Sequence, residues 1–410
     1  MCGKVEGNRS IINGILMTSQ SSTVTAPEQL QYRGYIGEFD GLRALGLTLV
    51  LINHFVPRML SEFLYQLGQL GWIAMDSFFV MSGFLITGIL LDSREKPRFY
   101  RTFYARRALR IFPLYYVVLL LWWVIIRYTN YALDYQQMSQ HWGSPLWFVF
   151  YAGNIRTAWV GAWPKVMGYV PLWSLQIEEQ FYLLFPLAVG LLRREHLRWL
   201  LIGAAVASPV FRVAAYLWQP NNPYLQYALL PCHCEGIALG GLIAIRFRSG
   251  AWNFSKLHLT LWTALLMGAA VAGSFFSRGG VEGWAWANTW NRLAGYSISS
   301  LGCACLVLWL ISFRGSVYTQ WMRIGPLKYL GKISYGVYLL HPLALWTAIE
   351  LGKKRKIHFL HYDPRFSLVG IGLSLLYAAI SWHFFEGPIL KMKERFTNFR
   401  KPPVALAVPQ

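Results

Sequence analysis

Apolar residues in this chain gather into ten stretches, each close to the roughly 20 residues that a helix needs to cross a bilayer. They run approximately over 42–60, 72–92, 109–127, 174–193, 198–218, 226–246, 258–276, 294–313, 334–351 and 366–385, with polar or basic residues in the intervals. Hydrocarbon offers no partner to backbone N–H and C=O groups, so such stretches are expected to be helices that satisfy their own. An eleventh run, LWFVFYAG at 146–153, is too short to cross and reads as an interfacial or re-entrant piece. The pattern predicts an all-α fold, a polytopic membrane helical bundle of about 10 transmembrane helices. One membrane domain is expected over residues 36–390, with a flexible tail at 1–35 and a short basic tail at 391–410. The opening residues lack an unbroken apolar segment ending in a small-residue cleavage site, so insertion is expected to rest on the first membrane helix.

Composition agrees with this pattern. The chain is 55% hydrophobic and only 14% charged, with a mean hydropathy of +0.36, which is too apolar for an ordinary soluble protein. A formal charge of +20 would suit a nucleic-acid binder, but Lys and Arg fall in short clusters between apolar stretches. There they set topology and meet anionic headgroups, so membrane lipids are expected as partners and nucleic acid is not. The loop between the second and third stretches carries Arg94, Lys96, Arg98, Arg101, Arg106, Arg107 and Arg110, whereas QPNNPY before the sixth carries no charge. This asymmetry predicts both termini in the cytoplasm. KKRK at 353–356 breaks the rule, since it would then lie outside.

Several polar groups interrupt the apolar stretches. In the first, DGLRALGLTLVLINHF, Asp40 opens the run, Arg43 lies near its start and His54 near its end. On a helix those two side chains share nearly one face about 16 Å apart, so they can serve two ends of one long ligand but cannot touch. The second stretch carries Asp76 and Ser82, for which pairing and helix packing are the plain alternatives. Arg106, Arg107 and Arg110 open the third; Arg106 and Arg110 share a face, and planar guanidinium groups suit phosphate. Adjacent Glu178 and Glu179 lie in the fourth, and the helical period does not choose which one enters the bundle; pairing with Arg212 is the bland alternative. Tyr338 and His341 line one face of the ninth stretch with Ser334, and Glu386 closes the tenth after His383. Cys232, His233 and Cys234 invite a metal reading, but Cys-x-Cys on a helix splays its thiols, and no metal is expected. The chain has no Gly-x-Ser-x-Gly elbow, no Walker A loop and no Gly-x-Gly-x-x-Gly after a strand.

Six segments in order, DGLRALGLTLVLINHF, DSFFVMSGFLI, FYARRALRIFPLYY, WSLQIEEQFYLLFP, LGKISYGVYLLHPL and HFFEGPIL, together resemble the acyltransferase-3 family of integral membrane acyltransferases. The resemblance implies transfer of an acyl group, often acetyl, from acyl-CoA to a glycan, a lipid-linked glycan or another surface acceptor. It implies that His54 is catalytic, that Arg106, Arg107 and Arg110 form the family's basic donor motif, and that Glu178 rather than Glu179 is the acid of its WSL-x-x-E pattern. Arg43 is expected to help hold the donor phosphates, and Glu178 to orient His54. The chain departs from the family at PCHCEGIALGG, where Arg and Asp are more usual, which leaves Glu235 without an implied role. The competing class is a proton-coupled membrane transporter, but its mark of two related halves with broken helices is not visible.

Overall fold

In the computed structural model the chain is described over residues 35–129, 143–250, 254–276, 285–354 and 363–392. Both tails fall largely outside these residues, as do Arg355 and Lys356 of the exceptional basic loop. Among the described residues ten long helices form the body: α1 (Gly37–Phe55), α2 (Gly71–Ser93), α3 (Phe99–Tyr128), α4 (Leu172–Leu191), α5 (Arg194–Trp218), α6 (Leu230–Arg248), α7 (Lys256–Phe276), α8 (Tyr296–Ser312), α9 (Gly325–Lys354) and α10 (Pro364–Ser381). Each meets one predicted stretch. No strand occurs among the described residues. The 146–153 run breaks into a short helix, Leu146–Val149, and the start of another at Gly153–Val160, neither long enough to cross.

Among the described residues, seven helical segments are long and apolar enough to cross a membrane. Of the ten long helices, α1, α4 and α9 fall outside that set, and they carry Asp40, Arg43 and His54, the Glu178–Glu179 pair, and Lys328, Lys332 and His341. The periphery is inverted relative to a soluble protein: Leu120, Trp123, Leu184, Val210, Trp262 and Leu376 are exposed, while Arg212, Glu235, Asp76 and His233 are buried. This is the arrangement that a hydrocarbon solvent selects. The chain is a multi-pass membrane protein.

Small residues set the closest packing. α2 and α6 make the most extensive helix pair. A Cβ on Gly83 would lie 2.0 Å from the Ile237 carbonyl oxygen, and one on Gly240 would lie 2.0 Å from that of Val80, so the two backbones touch at both points. Without a hydrophobic drive between helices in lipid, such backbone contact is a main source of association. Arg248 forks onto both Asp92 oxygens at 2.7 Å and ties the far ends of the same two helices. Arg212 on α5 donates to Glu235 on α6 at 2.7 Å and to the Cys232 carbonyl, so Glu235 acts as the counter-charge of a buried arginine. Glu178 and Glu179 are therefore not the partners of Arg212.

Candidate active site

The polar faces of α1, α3, α4 and α9 meet around a cavity of about 1070 Å³. Six cations line it, Arg43, Arg106, Arg107, Arg110, Lys328 and Lys332, against the carboxylates of Asp40, Glu178 and Glu386. Phe39, Leu47, Met75, Phe78, Phe79 and Leu85 add an apolar lining. Such a wall suits a molecule that joins a multiply charged anion to a less polar group.

Each charged wall residue is positioned by local structure. Arg43 lies one turn after Asp40 and donates to it at 2.8 Å, and the Tyr35 hydroxyl also donates to Asp40. The backbone carbonyl of Asp40 lies so near Gly331 that a Cβ there would approach it to 2.2 Å, which draws α1 and α9 together beside the cations. Arg107 is half-buried, with its guanidinium 5.1 Å from the centre of the Tyr182 ring, whereas Arg106 and Arg110 are exposed at the rim. The Tyr182 hydroxyl donates to Glu178 at 3.0 Å and accepts from buried Ser82, so these three residues form one chain across α2 and α4. Glu386 ends a π-helical turn, Trp382–Glu386, from which both Trp382 and Glu386 line the wall; Ser381 donates to the Glu386 carboxylate at 2.8 Å.

Tyr338 and Ser174 form the inner end. The Tyr338 hydroxyl lies 2.8 Å from both the Ser174 hydroxyl and the Pro171 carbonyl, closing the space between α4 and α9. His54 and His341 are not on the cavity wall. The farthest wall residue along α1 is Leu47, two turns or about 10 Å short of His54. The two histidines instead lie against each other, ring centroids 4.8 Å apart, with His54 exposed at the protein surface and His341 buried.

Of the residues singled out from sequence, the cavity gathers Asp40, Arg43, Ser82, Arg106, Arg107, Arg110, Glu178, Tyr338 and Glu386. Asp76 lies elsewhere, 3.5 Å from His233 in an aromatic nest with Phe79, Trp173 and Tyr227. Glu179 points away from the cavity that Glu178 lines, and one of its oxygens is buried without a partner. Lys328 and Lys332 also join the wall, and their spacing of four in the sequence was a signal that they share one helix face. Tyr182, one turn after Glu178, is a further wall residue that the sequence did not single out. Among the described residues no group of three His, Cys, Asp or Glu side chains is placed to hold a metal.

A helical bundle that is apolar outside and encloses a cavity lined by both cations and apolar side chains is a polytopic membrane protein with an internal polar site. Residues 36–384 match the acyltransferase-3 model, described as an acyltransferase domain, and the chain belongs to that family. It is 26% identical over 391 residues to the O-acetyltransferase OatA of Staphylococcus aureus, covering 89% of this chain and 58% of that protein. It is also 26% identical over 404 residues to the peptidoglycan O-acetyltransferase OatA of Listeria monocytogenes, covering 90% and 58%. A third relative, the putative peptidoglycan O-acetyltransferase YrhL of Bacillus subtilis, is 26% identical over 380 residues, covering 88% and 55%. The chain thus spans less than two thirds of the length of these relatives. No solved structure matches it.

Proposed function

We propose that this protein is a membrane O-acyltransferase that takes an acyl group, in the first instance acetyl, from acyl-CoA and places it on a hydroxyl of a cell-surface glycan. The observation that carries the reading is the cavity, whose six cations and apolar lining side chains suit a thioester donor with phosphates at one end and an acyl group at the other. Arg43, Arg106, Arg107 and Arg110, joined by Lys328 and Lys332, hold the phosphates through charge-assisted hydrogen bonds. The names of the Listeria and Bacillus relatives support peptidoglycan as the acceptor to try first. In this reading all ten helices cross the bacterial inner membrane with both termini in the cytoplasm, so the cation end opens to the compartment that holds CoA.

His54 acts as general base on the acceptor hydroxyl, a role worth about 10² to 10⁴ in rate. The donor reaches it when the Tyr338 hydroxyl leaves Ser174 and Pro171. Two hydrogen bonds at roughly 1 kcal/mol net each put that opening near 2 kcal/mol, a small part of any catalytic barrier. Glu178, hydrogen-bonded to Tyr182 beside Arg107, balances charge at the donor end.

The test is to incubate purified protein with labelled acetyl-CoA, with and without peptidoglycan fragments, and to follow CoA release and label on the glycan. Acceptor-dependent release with label on glycan oxygen is expected. Glycan binding without thioester turnover would overturn the reading.

A further inference from the structure

His341 holds one buried nitrogen whose partner is absent from the resting arrangement. Its Nδ1 lies 2.7 Å from the Tyr338 backbone carbonyl, one turn back on α9. A carbonyl oxygen only accepts, so Nδ1 carries the proton and Nε2 of the neutral ring is a bare lone pair. That Nε2 is buried, on a residue 1% exposed, and makes no hydrogen bond. An unmet buried acceptor of this kind costs about 1–3 kcal/mol. The polar ring beside it is that of His54, 4.8 Å between centroids with the planes inclined at 47°. His54 occupies the last turn of α1 and is exposed, so its ring is free to reorient.

We infer that His341 is the positioning residue of His54: its Nε2 accepts the N–H of the catalytic imidazole and thereby fixes the tautomer in which the other nitrogen presents a lone pair outward. The inference rests on the proposed role of His54 as general base. It also replaces Glu178 as the orienting group. Glu178 is engaged by Tyr182 on the cavity wall, and that wall ends two turns short of His54.

The proton balance follows. The acceptor O–H gives its proton to the outward nitrogen of His54 while the oxygen forms a bond to the thioester carbonyl carbon. The C–S bond then breaks, and the thiolate leaving group takes that same proton back. The inner N–H of His54 stays on His341 throughout, so the neutral second imidazole orients the ring without trading a proton. Tyr338 joins the two compartments, because its hydroxyl closes the donor cavity while its carbonyl fixes the His341 ring.

The experiment compares His341→Phe, His341→Gln and His54→Ala for donor binding, KM and kcat in acetyl transfer. Phenylalanine keeps a planar ring and removes both nitrogens, so kcat is expected to fall on the order of 10²-fold with donor binding unchanged. Glutamine offers an acceptor oxygen and should recover part of that loss. Wild-type kcat in His341→Phe, or equal losses in Phe and Gln, would overturn the inference while a dead His54→Ala still upheld the base assignment. Full turnover in His54→Ala would overturn both. Should His341→Phe fail to fold, nitrogen-15 spectra of the wild-type protein decide: a scalar coupling between a His54 and a His341 nitrogen is expected, and a hydrogen-bearing His341 Nε2 would contradict the arrangement.

Discussion

Replacing Arg107 with alanine separates a cavity that grips phosphate from one that is merely basic. Its guanidinium is half-buried, stacked 5.1 Å from the Tyr182 ring and 5.9 Å from that of Phe103, while Arg106 one residue earlier is exposed. A charge-assisted hydrogen bond removed from such a sheltered position costs about 1.5–3 kcal/mol, or roughly 10- to 150-fold in donor affinity. A contact from the exposed Arg106 contributes at most about 1 kcal/mol, near fivefold. Salt sharpens the contrast, because the screening length shrinks from about 10 Å at 0.1 M to about 3 Å at 1 M. Calorimetric titration of the detergent-purified protein with CoA at both salt concentrations reads the difference directly. The loss in Arg107→Ala should persist at 1 M salt and that in Arg106→Ala should vanish. Arg107→Lys keeps the charge without the planar fork and should fall between. Equal losses in the two alanine variants, or an Arg107→Ala defect that disappears in high salt, would refute the assignment of Arg107 as a direct phosphate ligand.

Other outcomes follow from the packing. Gly83→Ala and Gly240→Ala each place a methyl 2.0 Å from a carbonyl oxygen across the α2–α6 contact, and each should lower stability by about 1–3 kcal/mol in thermal melts. Because the two share one interface, the double variant should not show the simple sum; additive losses would mean that the helices do not separate as a unit. Glu235→Gln leaves Arg212 buried without its counter-charge and should destabilise by about 3–5 kcal/mol, whereas Arg212→Met with Glu235→Leu should recover most of that in the same melts. Tyr338→Phe removes both hydrogen bonds at the inner end of the cavity and should raise acceptor-independent CoA release from acetyl-CoA; an unchanged background would mean that this contact does not gate the passage.

The ten helices were legible because hydropathy reports where backbone must bond to itself. Their ends were less so, for a physical reason. α3 begins at Phe99 rather than 109 and α9 at Gly325 rather than 334, since helical hydrogen bonding continues through Arg106, Arg107, Lys328 and Lys332 after apolarity has stopped. α1 begins at Gly37 and ends at Phe55 rather than spanning 42–60. Its acidic first turn suits a helix N-terminus, and Pro57 follows just beyond its end. Within the site, Arg43 and the Arg106–Arg110 cluster stood out as permanent charges beside apolar runs. The lysines of α9 resembled ordinary topology signals, and only the fold sets them opposite the arginines. His54 and His341 each drew notice alone. Their pairing depends on α1 packing against α9, a contact between residues 287 positions apart that no local pattern encodes.

In the proposed function, donor binding and chemistry occupy separate ends of one site, with the cations at one and His54 at the other. The most direct measurement takes a single preparation of His54→Ala and records both its affinity for acetyl-CoA and its rate of acetyl transfer to peptidoglycan fragments. Wild-type affinity with transfer reduced at least 10²-fold is expected. Transfer at the wild-type rate, or loss of affinity in step with loss of transfer, would contradict it.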